Sequence, residues 1–254
     1  MDAVRSRDDV PVMFKKVLPE EGPHELAITQ IFSSPEFAGD PRNHCVPLLG
    51  VVELEVPGSP RLMVFPLLRP FNRPRFQTFG EFVAFFAQIC EVTKIYVSYI
   101  RAMAMLNNCQ GIQFMHEQNV AHRYGPFLLL GRCKFDSLLS DCTANNIMFD
   151  PSGMYPVGFH PVKIDLNKNF RGKATAYTRT ERPPRYVLID FGLSRQYTTR
   201  EVVDEPLRGG DKSAPEHQQL GELCNPFHTD IYYIGNLVRS EFTRVRDQIR
   251  GSSI

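Results

Sequence analysis

Asp141 and Asn146 stand five residues apart in DCTANNIMFD, and Asp190 opens an Asp-Phe-Gly turn in RYVLIDFGLSR. That spacing brings a carboxylate and an amide back to one side of a loop, where both can face one centre. Carboxylates and an amide are what phosphoryl transfer asks of a protein: hard oxygen donors for magnesium, charge control around phosphates and an acceptor for a hydroxyl proton. Each signal is weak alone. Asp-Phe-Gly by itself is a turn after a strand, and an aspartate followed by an asparagine at this distance is common. Lys15 lies in VPVMFKKVL beside Lys16, and an exposed strand lysine usually just solvates a surface. His116 and His122 are candidate metal ligands by residue type, with packed structural histidines as the plainer reading.

These groups must be positioned by elements that the pattern suggests in outline. Residues 10–18 read as a strand and PHELAITQIFSS (23–34) as a short helix with Glu25 near its start. CVPLLGVVELEV (45–56) and RLMVFPLL (61–68) read as two more strands around the turn-forming PGSP. The proline-rich RPFNRPRF (69–76) breaks regular structure and can join two parts. TFGEFVAFFAQICE has a capping-box spacing at Thr78 and Glu81, followed by Phe82, Phe86 and Ile89 along one helical face. GIQFMHEQNVAHR (111–123) reads as helical again, IMFDPSGMYPV (147–157) as hairpin-like and RYVLIDF (185–191) as a strand. A basic stretch runs from Lys163 to Arg185, and a last helix starts near Thr229. Strands come first and helices later, which predicts an α+β arrangement of a small sheet packed on helices, with the cleft between them as the ligand site.

A chain of 254 residues with 43% apolar composition can bury a sizeable core, as one large domain or a two-lobed one. Its net charge of +1 exerts no overall pull on nucleic acid or anionic membranes. Six scattered cysteines form no CxxC pair, which argues against a zinc site and for a reducing compartment. The first residues lack the apolar core of a signal peptide, and no run is long and apolar enough to span a membrane. An intracellular location, cytoplasmic or nuclear, is expected.

Read in order, QFMHEQNVAHR, DCTANNIMFD, IDFGLSR, SAPEH and TDIYYIGN resemble the catalytic loop, magnesium motif, activation-segment end and following helix of a protein kinase. The wording of RPPRYVLIDFGLSRQY and LRGGDKSAPEH is similar to a fungal group of kinase-like proteins. The resemblance covers roughly residues 10 to 240 and implies a two-lobed kinase-like fold of the α+β class, truncated at both ends. Residues 10–68 would be a partial small lobe lacking the glycine-rich loop, and 69–254 a partial, mostly helical lobe. It also implies Asp141 as catalytic base, Asn146 and Asp190 as magnesium ligands, and Lys15, Glu25, Leu67 and Leu68 at the ATP, with Lys15 and Glu25 as an ion pair. His122 becomes a packed residue of the catalytic loop, Asp230 an anchor for that loop's backbone, and Glu216 the partner of a distant arginine. ATP, magnesium and a protein substrate follow.

The chain departs from that pattern in several places. Thr143 replaces the lysine common two residues after the base in serine/threonine kinases, and Pro66 removes a backbone donor where the hinge would lie if Phe65 is the gatekeeper. Residues 92–110 and 124–140 interrupt it, the second splitting Arg123 from Asp141. Residues 92–110 begin with Val, whose codons start GT, and end in Gln, which can be CAG; a GT can likewise hide where the codons of Arg123 and Tyr124 meet, and an AG in that of Ser140. Both segments are therefore read as retained introns. When the first is skipped, Gly111 takes the place of Val92 and the helical face continues through Ile112 and Met115.

Three functions compete. The first is an ATP-dependent protein kinase and the second a pseudokinase or scaffold that keeps the fold without useful catalysis. The third, nucleic-acid binding, rests on Lys163, Lys168, Arg171, Lys173, Arg179, Arg182 and Arg185 with Phe170 and Tyr177 interleaved. Such a run is usually a solvated loop, and no nucleic-acid partner is expected.

Overall fold

The computed structural model describes residues 2–18, 23–53, 60–89, 111–123, 146–205 and 223–251. The architecture is mixed α+β. A four-stranded antiparallel sheet has the order β1-β2-β4-β3, built from β1 (Asp2–Arg5), β2 (Val10–Val17), β3 (Gly50–Val52) and β4 (Arg61–Pro66). Helix α1 (Glu25–Phe32) and the single turn α2 (Pro35–Ala38) follow β2 in the chain. A second sheet, β5-β7-β8, joins β5 (Arg69–Pro70), β7 (Ile147–Phe149) and β8 (Tyr186–Leu188), and β6 (Val120–Ala121) pairs with β9 (Arg195–Gln196). The longer helices are α3 (Phe79–Ile89) and α5 (Pro226–Gly251), with α4 (Gly111–Glu117) between them in sequence. No helix among the described residues is long and apolar enough to cross a membrane.

Several sequence expectations are revised, each for a local reason. Of the strand expected over 45–56, the described residues form strand at Gly50–Val52, and 54–56 lie outside the described residues. Its first part is taken by the other sheet instead: Leu188 donates to His44 O at 2.7 Å and Val46 donates to Leu188 O at 2.9 Å. The break expected at 69–76 begins with two strand residues, because Arg69 and Pro70 pair with Phe149 and Met148. The helix expected to run through 123 stops at Glu117. Asn119 adopts φ 56°, a left-handed conformation that ends helices, and Val120–Ala121 become a strand. Residues 147–157 are no hairpin, since the partners of β7 are the distant β5 and β8 and Pro151 opens a turn closed by Tyr155 N at 2.8 Å. The last helix begins at Pro226, where Asn225 Oδ1 accepts the Phe227 N–H at 3.0 Å.

The start of α3 shows how a cap becomes a tertiary tie. Thr78 Oγ1 accepts the Glu81 N–H at 3.1 Å, as a capping box requires. The Glu81 carboxylate, however, accepts from Gln77 N at 2.7 Å and from Thr180 N at 3.2 Å, so it fastens the helix to the 178–181 turn. The buried face of α3 runs through Phe82, Phe85 and Ile89, with Phe86 only half-buried. Phe85 stacks on Phe71 with ring centroids 4.7 Å apart and meets Tyr186 edge-on at 5.0 Å. Replacing such a ring by alanine costs about 3–5 kcal/mol, which makes this aromatic layer the main anchor of α3 to the second sheet.

Helix α4 resumes beside the end of α3. A Cβ on Gly111 would lie 3.3 Å from the Gln88 carbonyl oxygen and 3.1 Å from His44 Cβ, so only glycine fits without displacement. Ile112 and Met115 then continue the buried face. The segments 92–110 and 124–140 lie outside the described residues.

Candidate functional site

Strand alternation separates the two adjacent lysines. In β2, Val12 and Val17 are buried and Lys16 is exposed, whereas Lys15 turns inward. Its Nζ forms an ion pair with Glu25 Oε1 from the first turn of α1 and another, at 2.6 Å, with Asp190 Oδ1 beyond β8. Three separate elements thus meet at one ammonium group.

Asp190 is held from both sides. Ile189 N donates to Asn146 O at 2.9 Å, and Ile189 O accepts from His122 Nε2 at 3.1 Å. The aspartate adopts φ 64°, a left-handed conformation that Asp tolerates better than most residues. Gly192 follows where a Cβ would come within 3.3 Å of Asp190 Oδ1 and 3.4 Å of Glu25 Oε2. A side chain at this position would have to push the two carboxylates back by a few tenths of an ångström, which favours glycine in the Asp-Phe-Gly turn.

The charges adjust to one another. Burial disfavours the Lys15 ammonium, but Asp190 and Glu25 outweigh it and hold the pKa above the ordinary lysine value. Burial likewise works against the Asp190 carboxylate, yet Lys15 and the Gly192 N–H keep its pKa low. Glu25 is the member that gives way: its burial, only partly offset by Lys15, raises its carboxyl above the usual range. With one cation against two carboxylates, the cluster attracts a further positive charge.

A cavity of about 410 Å³ opens beside this cluster. Met13, Val46, Phe65, Leu68 and Met148 form apolar walls, and Lys15, Lys16, Glu25 and Asp190 supply the charged lining. Leu68 therefore faces the cavity, as does Pro66, while Leu67 does not line it and donates its N–H to Pro11 O at 3.2 Å. Sequence reasoning missed Val46 and Met148. Met148 carries a readable signal, because it is half-buried between the buried Ile147 and Phe149 and so points to the opposite face of β7.

Asn146 is half-buried, and its backbone sits directly against the residue before Asp190. Asp141 and Glu216 lie outside the described residues. The segment leading toward Asp141 is nevertheless well anchored up to Arg123. Asp230, fully buried in α5, accepts the His122 N–H at 2.7 Å and contacts His116 Nε2 at 3.0 Å. His122 packs against the Phe191 ring at 5.4 Å, and burial lowers its pKa so that the imidazole stays neutral. Arg123, φ 57°, reaches Asp204 at 2.8 Å and Glu205 O at 2.9 Å. Among the described residues no group of three or more His, Cys, Asp or Glu side chains is arranged to hold a metal.

Of the basic stretch, Lys163, Lys168, Arg171, Lys173, Arg182 and Arg185 are exposed, as a solvated run would be, and Arg179 alone is buried. No family model matches the chain, and no curated protein matches it.

Proposed function

We propose that the chain is a protein-kinase-like phosphotransferase that moves a phosphoryl group from ATP to a protein hydroxyl, inside the cell. The observation that carries this reading is the meeting of Lys15, Glu25 and Asp190 at one wall of a cavity with apolar sides. In the two-lobed arrangement it implies, strands β2, β3 and β4 with α1 make up the small lobe over residues 10–68, and 69–254 form the helical lobe. The apolar walls near Phe65 and Leu68 suit a flat adenine, and Lys15 suits its phosphates. Asp190 and Asn146 offer hard oxygens from adjacent backbone positions and fit magnesium, which when bound neutralises charge on the phosphates. Asp141 is assigned as the acceptor of the hydroxyl proton.

A second reading, a scaffold that keeps the fold without turnover, is favoured by the direct contact of Lys15 with Asp190 Oδ1, which occupies an oxygen the metal would use. One experiment decides between them. The full chain and a form lacking residues 92–110 and 124–140 are titrated with ATP, with and without magnesium, and assayed for transfer of labelled phosphate. Under the kinase reading, magnesium strengthens ATP binding, Asp190→Asn removes that gain, and Asp141→Asn lowers transfer in the shortened form by roughly 10² to 10⁴. Magnesium-dependent binding without transfer in either form leaves the scaffold. No binding of ATP to either form rejects the kinase reading.

A further inference from the structure

A second cavity, of about 390 Å³, lies away from the Lys15 cluster, between the proline-rich segment after β5, the start of α3 and the loop 154–179. Two buried arginines line it. Arg69 is 1% exposed and lies over the rings of Tyr155 and Phe159 at 4.3 and 4.6 Å. Arg179 is 4% exposed and lies over Phe76 at 4.8 Å.

The protein satisfies their hydrogen bonds far better than their charges. Arg179 donates to Tyr186 Oη at 3.0 Å, Phe71 O at 2.7 Å and Arg75 O at 3.3 Å, all uncharged. Arg69 donates to the carbonyls of Ile164 and Arg73, and its one carboxylate contact, Asp165 at 3.5 Å, comes from a side chain 75% exposed. Glu81 also faces the cavity, but its oxygens are engaged by Gln77 and Thr180. Burial pulls Arg69 below the ordinary arginine pKa, and the neighbouring Arg179 adds to the effect. Arg75 and Lys173 stand exposed at the rim. Four cations against two carboxylates leave an excess of two positive charges around one concave space. Buried cations ordinarily carry a charged partner.

We propose that this cavity is a binding site for a small phosphomonoester. Such a group carries about −1.5 to −2 charges near pH 7, which matches the excess, and guanidinium forks match its oxygens. The volume exceeds what a phosphate alone fills, so the organic part lies along the Tyr155 and Tyr177 side of the cavity.

The test is a calorimetric titration of the whole chain with phenyl phosphate, at ionic strength held constant with sodium chloride. The rim variant Arg75→Met/Lys173→Met changes exposed side chains only, so it keeps its melting temperature, and its binding weakens at least about tenfold. Lys15→Met retains full binding, which separates this site from the other cavity. Inorganic phosphate binds more weakly than phenyl phosphate, and benzoate, with a single charge, at least about tenfold more weakly. The proposal is overturned by the absence of binding at millimolar phenyl phosphate, by loss of binding in Lys15→Met, or by unchanged binding in the rim variant. Equal affinity for benzoate rejects the phosphate class.

Discussion

Lys15 and Arg179 are both cations drawn into the protein, and their surroundings answer them in opposite ways. Lys15 meets two carboxylates and leaves its cluster with a negative excess. Arg179 meets carbonyls, a phenol and aromatic faces, and leaves its cavity with a positive excess. Neutral dipoles can satisfy every N–H of a guanidinium without cancelling its charge, whereas a carboxylate does both. Counted over all lining residues, Lys16 balances the first cavity at two cations against two carboxylates, whereas the second keeps a positive excess suited to an anion. The Arg179 arrangement is also part of the packing, because its acceptors belong to the aromatic layer under α3, while the Lys15 side chain, 34% exposed, borders open space.

The largest expected consequence is at Arg179. Arg179→Met deprives Phe71 O, Arg75 O and Tyr186 Oη of their donor, and denaturant unfolding is expected to show a loss of at least about 3 kcal/mol. A loss below about 1 kcal/mol would break the contrast by making the arginine as dispensable as a surface cation.

Lys15→Met leaves the buried Glu25 carboxylate without its cation and is expected to cost about 1–3 kcal/mol near pH 7. Its sharper readout is the pH dependence. Burial already raises the Glu25 carboxyl, and without Lys15 it rises further. A carboxyl with a raised folded-state pKa contributes stability that is present below its unfolded value and lost as pH rises through the folded one. Stability of the variant should thus fall, relative to the parent, as pH climbs from about 4 toward neutrality. Parallel curves would show that Lys15 does not hold Glu25 charged.

Two histidines show a third answer, which is to give up the charge. Burial lowers the pKa of both His44 and His122, and the His44 Nδ1–H donates to Tyr186 O at 2.7 Å. Depressed values contribute stability that is present above the unfolded pKa of about 6.5 and lost as pH falls through the folded values. Unfolding free energy is expected to decline from pH 7 to 5, by less than the Arg179 effect, and His44→Gln should flatten the slope. The smallest effect belongs to the exposed Arg5–Asp8 pair at the β1–β2 turn, 2.6 Å apart. Arg5→Ala should leave the melting temperature unchanged within error, because exposed pairs gain little over their hydration.

Part of this was readable from residue order alone. Asp190 stood out in its Asp-Phe-Gly turn, whereas Lys15 and Glu25 were singled out by the resemblance to protein kinases and not by residue type; the structure brings the three together. The Thr78–Glu81 spacing announced the start of α3, although not that Glu81 would also bind Thr180. Phe86 looked like a core residue because a step of four fits a helix as well as a step of three does; the stack on Phe71 selects Phe85. Arg179 was hidden in a basic run, where local composition points to solvent and only the distant Phe71 and Tyr186 explain its burial.

By itself, the sequence determined the local matters: the α+β mixture, the capped start of α3 and the presence of carboxylate and amide residues of the types that phosphate and magnesium chemistry uses. Those follow from backbone sterics and side-chain chemistry within a few residues. Only the tertiary structure decided that Lys15 rather than Lys16 turns inward, that residues 44–46 pair with β8 and not in the first sheet, and that Arg69 and Arg179 share one cavity. Each of these depends on partners tens of residues away, and contacts at that separation are set by which surfaces can be buried together, a property that no local window contains.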